Sequence, residues 1–123
     1  MGRLRDRIKN KCKGRCAYCG KMLDSKWHID HLKPIYRNNQ IKPKHAGTDN
    51  EDNMLPSCSR CNLWKKTFPL DVFRSEIKAQ IDRLKRDSSA FRMALDYGLI
   101  EIKEDDVVFY FESLGVKVVN WEG

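Results

Sequence analysis

The sequence has few of the features that mark membrane, repeat or fibrous proteins. It has no apolar run near the roughly 20 residues that a bilayer span needs, and only 7 glycines and 4 prolines among 123 residues. It contains no internal repeat and no low-complexity linker. Residues 1–13 are charged throughout without an apolar stretch, so we expect no secretory signal and no membrane partner. What remains is a chain of a length typical of one domain with a modest core.

Acidic residues are scarce in the first three quarters of the chain. Residues 1–95 contain 22 Lys/Arg against 10 Asp/Glu, whereas residues 96–123 contain 2 against 7. A basic surface suits a polyanionic partner, because neutralised phosphates release condensed counterions. A solvated basic face without a partner explains the charge equally well. The acidic end is either an ordinary solvated segment or one that repels nucleic acid and so turns the basic part towards it.

Hydrophobic periodicity and turn residues predict an α+β fold of short elements. The predicted helices cover residues 3–11, 59–67, 70–86 and 90–97, the last ending at Gly98. The predicted strands are an antiparallel pair over residues 27–31 and 54–57, and two or three further short strands. The latter include residues 107–111 and 116–121, and Ile100 and Ile102 alternate with charges before them. Residues 13–21 are typical of a tight turn flanked by Gly14 and Gly20, and residues 37–52 of an exposed polar loop.

Basic residues fill every odd position from 3 to 15. On a helix this period scatters the charge around the cylinder, whereas in an extended arm it would form one row. In either form we expect phosphate contact without sequence readout.

Five cysteines are present, and four of them form two Cys-x-x-Cys pairs. Without a secretory signal we expect the reducing cytoplasm, where paired cysteines bind metal more often than they form disulfides. Cys16 with Cys19, and Cys58 with Cys61, can bring four thiolates to one tetrahedral Zn²⁺. Such closed coordination leaves no open position, so the zinc would be structural. The alternative is two redox dithiols or unpaired buried thiols, and Cys12 is either a competing ligand or a free thiol.

Asp30 and His31 are neighbours between the two cysteine pairs, and Asn53 and Asn62 follow further along the chain. Phosphodiester hydrolysis needs an activated water and neutralisation of phosphate charge. His31, with a reference pKa of about 6.5, can take a proton from water. Asp30 and Asn62 offer oxygen ligands that suit Mg²⁺ or Mn²⁺. Asn53 can hydrogen-bond the imidazole or the loop backbone. Because neighbouring side chains of a strand point to opposite faces, Asp30 and His31 share one site only if their strand ends or bends at these residues.

Basic residues close to this group are candidates for phosphate contact. Lys65 and Lys66 lie one turn beyond Asn62 on the predicted helix. His28 shares a strand face with Asp30, so it is a third metal ligand, a phosphate contact or an ordinary surface histidine.

Three other residues have two interpretations each. Trp27 and Trp64 can stack on bases or can belong to the core. His45, in the polar loop, either contacts the substrate or is solvated.

The combined motifs resemble those of the HNH endonuclease family. The matching pattern is Cys16-x-x-Cys19, Asp30-His31 with Pro34, Asn53-Met54-Leu55, and Cys58-x-x-Cys61-Asn62 with Lys65. The resemblance implies a ββα-metal fold around one catalytic divalent ion. It also implies that His31 is the general base, that Asp30 and Asn62 are ligands of that ion, and that Asn53 is an orienting residue. The four cysteines are similar to those of the zinc-stabilised branch, which is common among phage and bacterial members. Asn62 replaces the histidine of some members, which favours Mg²⁺ or Mn²⁺.

We therefore expect residues 1–68 to form an HNH nuclease module with a zinc site. Residues 69–123 are expected to form a C-terminal extension of helices and then short strands, packed as part of one domain. The expected activity is hydrolysis of phosphodiester bonds in double-stranded DNA, in the cytoplasm of a bacterial host. Two alternatives stay open, a zinc-stabilised nucleic-acid-binding module without catalysis and an RNA-directed nuclease. A homodimer or a phage or host protein partner also stays open.

Overall fold

The computed structural model describes residues 3–33 and 49–118. Its elements are α1 Leu4–Lys11, β1 His28–His31, a 3₁₀ turn Glu51–Asn53, β2 Met54–Ser57, α2 Ser59–Lys65, α3 Leu70–Lys78, α4 Gln80–Asp87, α5 Ser89–Asp96 and α6 Tyr110–Ser113. The chain is a small α+β protein with a two-stranded sheet, as its sequence predicts. Within the described ranges, no helix is long and apolar enough to cross a membrane. Pro34, His45 and most of the predicted polar loop lie outside the described residues.

The two strands pair antiparallel, which confirms the predicted pairing. The register places His28 opposite Ser57 and His31 opposite Met54. All four residues of β2 are buried, and the Pro56 carbonyl accepts a hydrogen bond from the Ala17 N–H at 2.8 Å. The turn that carries the first cysteine pair is therefore bonded to β2.

Helix α1 packs against β2 through one apolar residue and several basic ones. Ile8 is fully buried in a cluster with Trp27 and Met54, so Trp27 belongs to the core. The Arg5 guanidinium lies 4.0 Å from the Trp27 ring centroid and donates to the Trp27 carbonyl at 3.1 Å. Lys11 donates to the Met54 carbonyl at 2.8 Å. Part of the basic run is thus helical and bound to the protein itself, which excludes an extended arm over α1.

A tight turn between Arg15 and Met22 carries the first cysteine pair. These two residues form an isolated antiparallel bridge, and the Cys16 N–H donates to the Lys21 carbonyl at 2.8 Å. Gly20 has a φ of +78°, which a residue with a side chain rarely adopts. The predicted turn is therefore confirmed, and its glycine is required by the backbone geometry.

The main core joins this turn to the C-terminal part of the chain. The Tyr18 ring makes edge contacts with Phe73, Phe109 and Phe111, at centroid distances of 5.4, 5.4 and 6.1 Å. The Tyr110 N–H donates to the Tyr18 carbonyl at 3.1 Å. Residues on both sides of position 68 therefore share one core.

The helix predicted over residues 70–86 is two helices, α3 and α4, interrupted at Ala79. The Gln80 side-chain amide donates to the Glu76 carbonyl at 2.8 Å. That carbonyl is the one that an uninterrupted helix would pair with the backbone N–H of Gln80, so a side chain enters the helical ladder at this point.

The helix predicted over residues 90–97 is confirmed as α5, with bounds shifted by one residue. Ser88 caps its start by accepting from the Phe91 N–H at 3.1 Å. Gly98 ends it with a φ of +72°.

The prediction of strands in the C-terminal extension is wrong over its described part. Residues 101–109 and 116–118 have no regular structure, and α6 begins at Tyr110. Residues 107–111 do alternate, with Phe109 and Phe111 buried. However, Phe111 lies in α6, and its N–H donates to the carbonyl of Ala17 in the first cysteine turn at 2.7 Å. Glu112 Oε1 accepts from the Phe109 N–H at 2.9 Å. Residues 119–121 of the last predicted strand lie outside the described residues.

Candidate active site and cysteine cluster

The four paired cysteines come together in space. The Sγ atoms of Cys16, Cys19, Cys58 and Cys61 all lie within 4.8 Å of one another, and those of Cys19 and Cys58 are 3.8 Å apart. A tetrahedral site with Zn–S bonds of about 2.3 Å has its sulfur atoms about 3.8 Å apart. The second pair forms a turn at the start of α2, in which Cys58 Sγ accepts from the Cys61 N–H at 3.4 Å. The cluster is therefore compatible with one zinc ion.

The pKa values of the cysteine thiols indicate why a bound cation would stabilise the cluster. A hydrogen bond from the Cys61 thiol, with further bonds from backbone N–H groups, lowers the pKa of Cys16 to about 4. The pKa of Cys61 is raised because its thiol donates to Cys16. Burial raises the pKa of Cys19. Part of the cluster thus keeps its protons at neutral pH, and a bound divalent ion would replace them with compensating charge.

Cys12 is buried but does not belong to the group of four. Burial raises the pKa of its thiol to about 11. The interpretation of Cys12 as a free thiol therefore fits the structure better than that of a competing ligand.

Asp30 lies inside the protein, with 6% of its surface exposed. Its Oδ2 accepts a hydrogen bond from the Tyr18 hydroxyl and lies 3.2 Å from Lys65 Nζ. Burial raises the pKa of the Asp30 carboxyl, and the Lys65 charge and the Tyr18 hydrogen bond oppose that shift. Two donors therefore hold one of its two oxygens.

His31 is the last residue of β1 and has different partners from Asp30. Its Nε2 lies 2.8 Å from Asp49 Oδ1, and the Asp49 side chain is exposed. The alternation of side chains along a strand explains why the two neighbours contact different groups. β1 includes both residues and ends at His31, and their convergence on one site stays a prediction.

Asn53 is fully buried and holds the chain directly after His31. Its Oδ1 accepts from the Lys33 N–H at 2.8 Å, and its Nδ2 donates to the Lys33 carbonyl at 2.9 Å. Its own carbonyl accepts from the Leu32 N–H at 2.9 Å. Of the two contacts predicted for Asn53, the structure thus shows the one with the loop backbone.

Asn62 is half-buried in α2, and its N–H donates to the Cys58 carbonyl at 3.0 Å. It precedes Lys65 by three residues, so both lie on one side of the helix. Lys65 reaches β1, where its Nζ lies 3.3 Å from the His31 carbonyl oxygen. The contact places the Asn62 side of α2 towards the strand that carries Asp30 and His31.

The segment that contains these residues matches a known family. Residues 16–68 match the family model for HNH endonuclease. Residues 16–68, called the HNH domain below, are therefore similar to HNH endonucleases. No match was found among curated proteins or among solved structures. The domain implies nuclease activity, and with it a nucleic acid partner, and the pair of strands followed by α2 is consistent with the ββα-metal fold.

Lys65 of the HNH domain, which was predicted to contact phosphate, contacts other groups of the protein in the structure. Its side chain has no exposed surface, and its ammonium contacts both Asp30 and the His31 carbonyl. A phosphate contact would require both interactions to break. Lys66, the next residue, is exposed.

His28 and Trp64 of the HNH domain remain accessible. His28 is exposed at the start of β1. Trp64 is 45% exposed, so base stacking stays an open interpretation for it.

Two residues of the HNH domain that contact the site were not predicted from the sequence. Tyr18 lies inside the first cysteine pair, and its contact with Asp30 crosses 12 positions of sequence. Asp49 is one of several acids near the end of the polar loop, and nothing in its immediate neighbours distinguishes it. Both contacts depend on folding, so no local pattern could have indicated them.

Proposed function

We propose that this protein is a metal-dependent HNH endonuclease that hydrolyses DNA phosphodiester bonds. In this proposal His31 is the general base, and Asp30 and Asn62 hold one Mg²⁺ or Mn²⁺ ion. The observation that supports it most is the position of Lys65 Nζ, 3.2 Å from Asp30 and 3.3 Å from the His31 carbonyl. This contact fixes α2, and with it Asn62, against the strand that carries the other two residues.

The proposed chemistry follows from the partners of each side chain. If Nε2 of His31 donates to Asp49, then Nδ1 carries the lone pair that accepts a proton from the attacking water. Asn53 fixes the backbone that follows His31 and so limits the movement of the imidazole. The divalent ion would neutralise phosphate charge and assist the leaving oxygen.

The cysteine cluster has a separate role in this proposal. Four thiolates close the coordination of a zinc ion, which leaves no position for substrate. We assign the zinc to the scaffold and the second ion to catalysis. Residues 1–68 then form the nuclease module, and residues 69–123 form an extension packed on it through the shared aromatic core.

DNA is the proposed substrate because positive charge accompanies the reactive residues. Residues 1–95, which include the HNH domain, carry 12 more basic than acidic residues. This surplus provides a field that attracts phosphates. His28 and Lys66 are exposed and are proposed to contact the phosphate backbone.

A cleavage assay tests the proposal. Zinc-loaded protein is incubated with supercoiled plasmid, and separately with RNA, in Mg²⁺, Mn²⁺ or EDTA. We expect plasmid nicking that requires the divalent ion and that His31→Ala reduces by about 10²–10⁴-fold, the usual contribution of a general base. Met93→Ala, at a 52% exposed position of α5 outside the HNH domain, is the control and should keep most of the activity. Cleavage of RNA alone would support the RNA-directed alternative, and binding without cleavage would support the non-catalytic one.

A further inference from the structure

Tyr18 connects the cysteine cluster to the candidate catalytic carboxylate. It lies between Cys16 and Cys19 in the first cysteine turn, and its side chain is buried. Its ring packs among phenylalanine rings of the core. Its hydroxyl leaves that apolar cluster and donates to Oδ2 of Asp30. The same residue therefore belongs to the zinc scaffold through its backbone and to the reactive site through its hydroxyl.

The contacts on Asp30 are arranged around one oxygen. The Tyr18 hydroxyl and the Lys65 ammonium both contact Oδ2. Two donors from different elements fix both the position and the rotation of a carboxylate. Among the described residues, no hydrogen bond or ion pair to Oδ1 is found, so this is the atom that can bind an ion. Partners that orient a metal ligand in this way usually affect its affinity for the metal.

We propose that Tyr18 is a positioning residue for the divalent ion, which holds Asp30 in its ligating orientation and couples the cysteine cluster to the nuclease site. The proposal rests on the assignment of Asp30 as a metal ligand in the proposed function. Packing alone does not require the hydroxyl, because phenylalanine would fill the same aromatic cluster. The hydroxyl is needed only for the bond to Asp30.

The test compares Tyr18→Phe with Tyr110→Phe. Tyr110 packs against Gly20 beside the same core, which makes it a matched control for the loss of a hydroxyl. Each protein is loaded with zinc, its zinc content is measured, and Mn²⁺ is titrated without nucleic acid and followed by electron paramagnetic resonance. We expect Tyr18→Phe to keep one equivalent of zinc and to bind Mn²⁺ about 10- to 100-fold more weakly. Tyr110→Phe should bind Mn²⁺ as the unmodified protein does.

A double-mutant cycle separates positioning from a structural effect. In an Asp30→Ala background, Tyr18→Phe should have no further effect on Mn²⁺ affinity, because the group that it positions is gone. Unchanged Mn²⁺ affinity in Tyr18→Phe overturns the proposal, and so does loss of zinc or of the fold, which would assign Tyr18 to the scaffold alone. Asp30→Ala that binds Mn²⁺ like the unmodified protein also overturns it. Because Mn²⁺ binding is measured without nucleic acid, its result does not depend on whether the protein cleaves DNA. The two proposals can therefore fail independently.

Discussion

The Lys65 ammonium lies 3.2 Å from the Asp30 carboxylate, and both side chains are buried. Since α2 carries Lys65 and β1 carries Asp30, this ion pair joins the helix of the HNH domain to the strand with the proposed catalytic residues. Removing one partner of a buried pair is costly, because the other charge is left without compensation. Each of the two buried charges therefore depends on the other, and the loss of either partner is expected to destabilise the protein.

Replacing Lys65 by Met should destabilise the protein by about 3–5 kcal/mol, the usual cost of breaking a buried ion pair at one partner. The measurement is the free energy of unfolding from urea denaturation. Lys66→Met, at the exposed neighbouring position, is the control and should change it by less than about 0.5 kcal/mol. If Lys65→Met is as stable as the unmodified protein but binds nucleic acid more weakly, Lys65 contacts phosphate instead.

Replacing Cys16 by Ser should remove zinc and unfold the HNH domain, because a structural metal contributes folding free energy. Zinc content and circular dichroism measure the two effects. Cys12→Ser is the control, since Cys12 is buried outside the group of four, and it should keep one equivalent of zinc. Folded, zinc-free Cys16→Ser would show that the cluster does not need the metal.

Zinc affinity should also fall as the pH decreases, because protons compete with zinc for the thiolates.

The parts of the fold that could be predicted are those fixed by local spacing. The cysteine turns follow from the two-residue gaps. β1 follows from the alternation of Trp27 and Ile29 with polar residues, and β2 follows from the short apolar run at Met54 and Leu55. Their pairing also follows, since one module must bring both cysteine pairs to one ion. The helix α5 was predictable because Gly98 ends it.

The rest depended on contacts between distant residues. Phe109 and Phe111 alternate as in a strand, yet the space that they fill is set by Tyr18 and Phe73. The N–H groups of Tyr110 and Phe111 donate to carbonyls of the first cysteine turn, and this segment pairs with no strand in the part of the chain that the structure describes. Lys65 is a similar case, because the sequence places it on the correct face of α2 but cannot show that Asp30 holds it inside the protein.

Replacing Asn53 by Ala should lower both stability and cleavage. The amide of Asn53 bonds the N–H and the carbonyl of Lys33, and its loss removes two part-buried hydrogen bonds at a cost of about 1–3 kcal/mol. Thermal unfolding and kcat are the two measurements. Asn10→Ala on the exposed side of α1 should change neither. A stable Asn53→Ala protein with full activity would remove Asn53 from the site.

Asp49 should act on cleavage through His31 alone. Because its Oδ1 lies 2.8 Å from His31 Nε2, Asp49→Ala removes the contact that is proposed to orient the imidazole. We expect kcat to fall while KM stays unchanged, and the loss should be smaller than that of His31→Ala, because water can replace an exposed carboxylate as the hydrogen-bond acceptor. Asp49→Asn should recover most of the rate, since an amide oxygen also accepts from Nε2–H. Asp52→Ala, at an exposed acid in the same stretch, tests for a mere loss of charge, and an equal effect of both alanine variants would contradict an orienting role. Steady-state cleavage kinetics of these four variants and of the unmodified protein distinguish a specific contact with His31 from a general effect of negative charge.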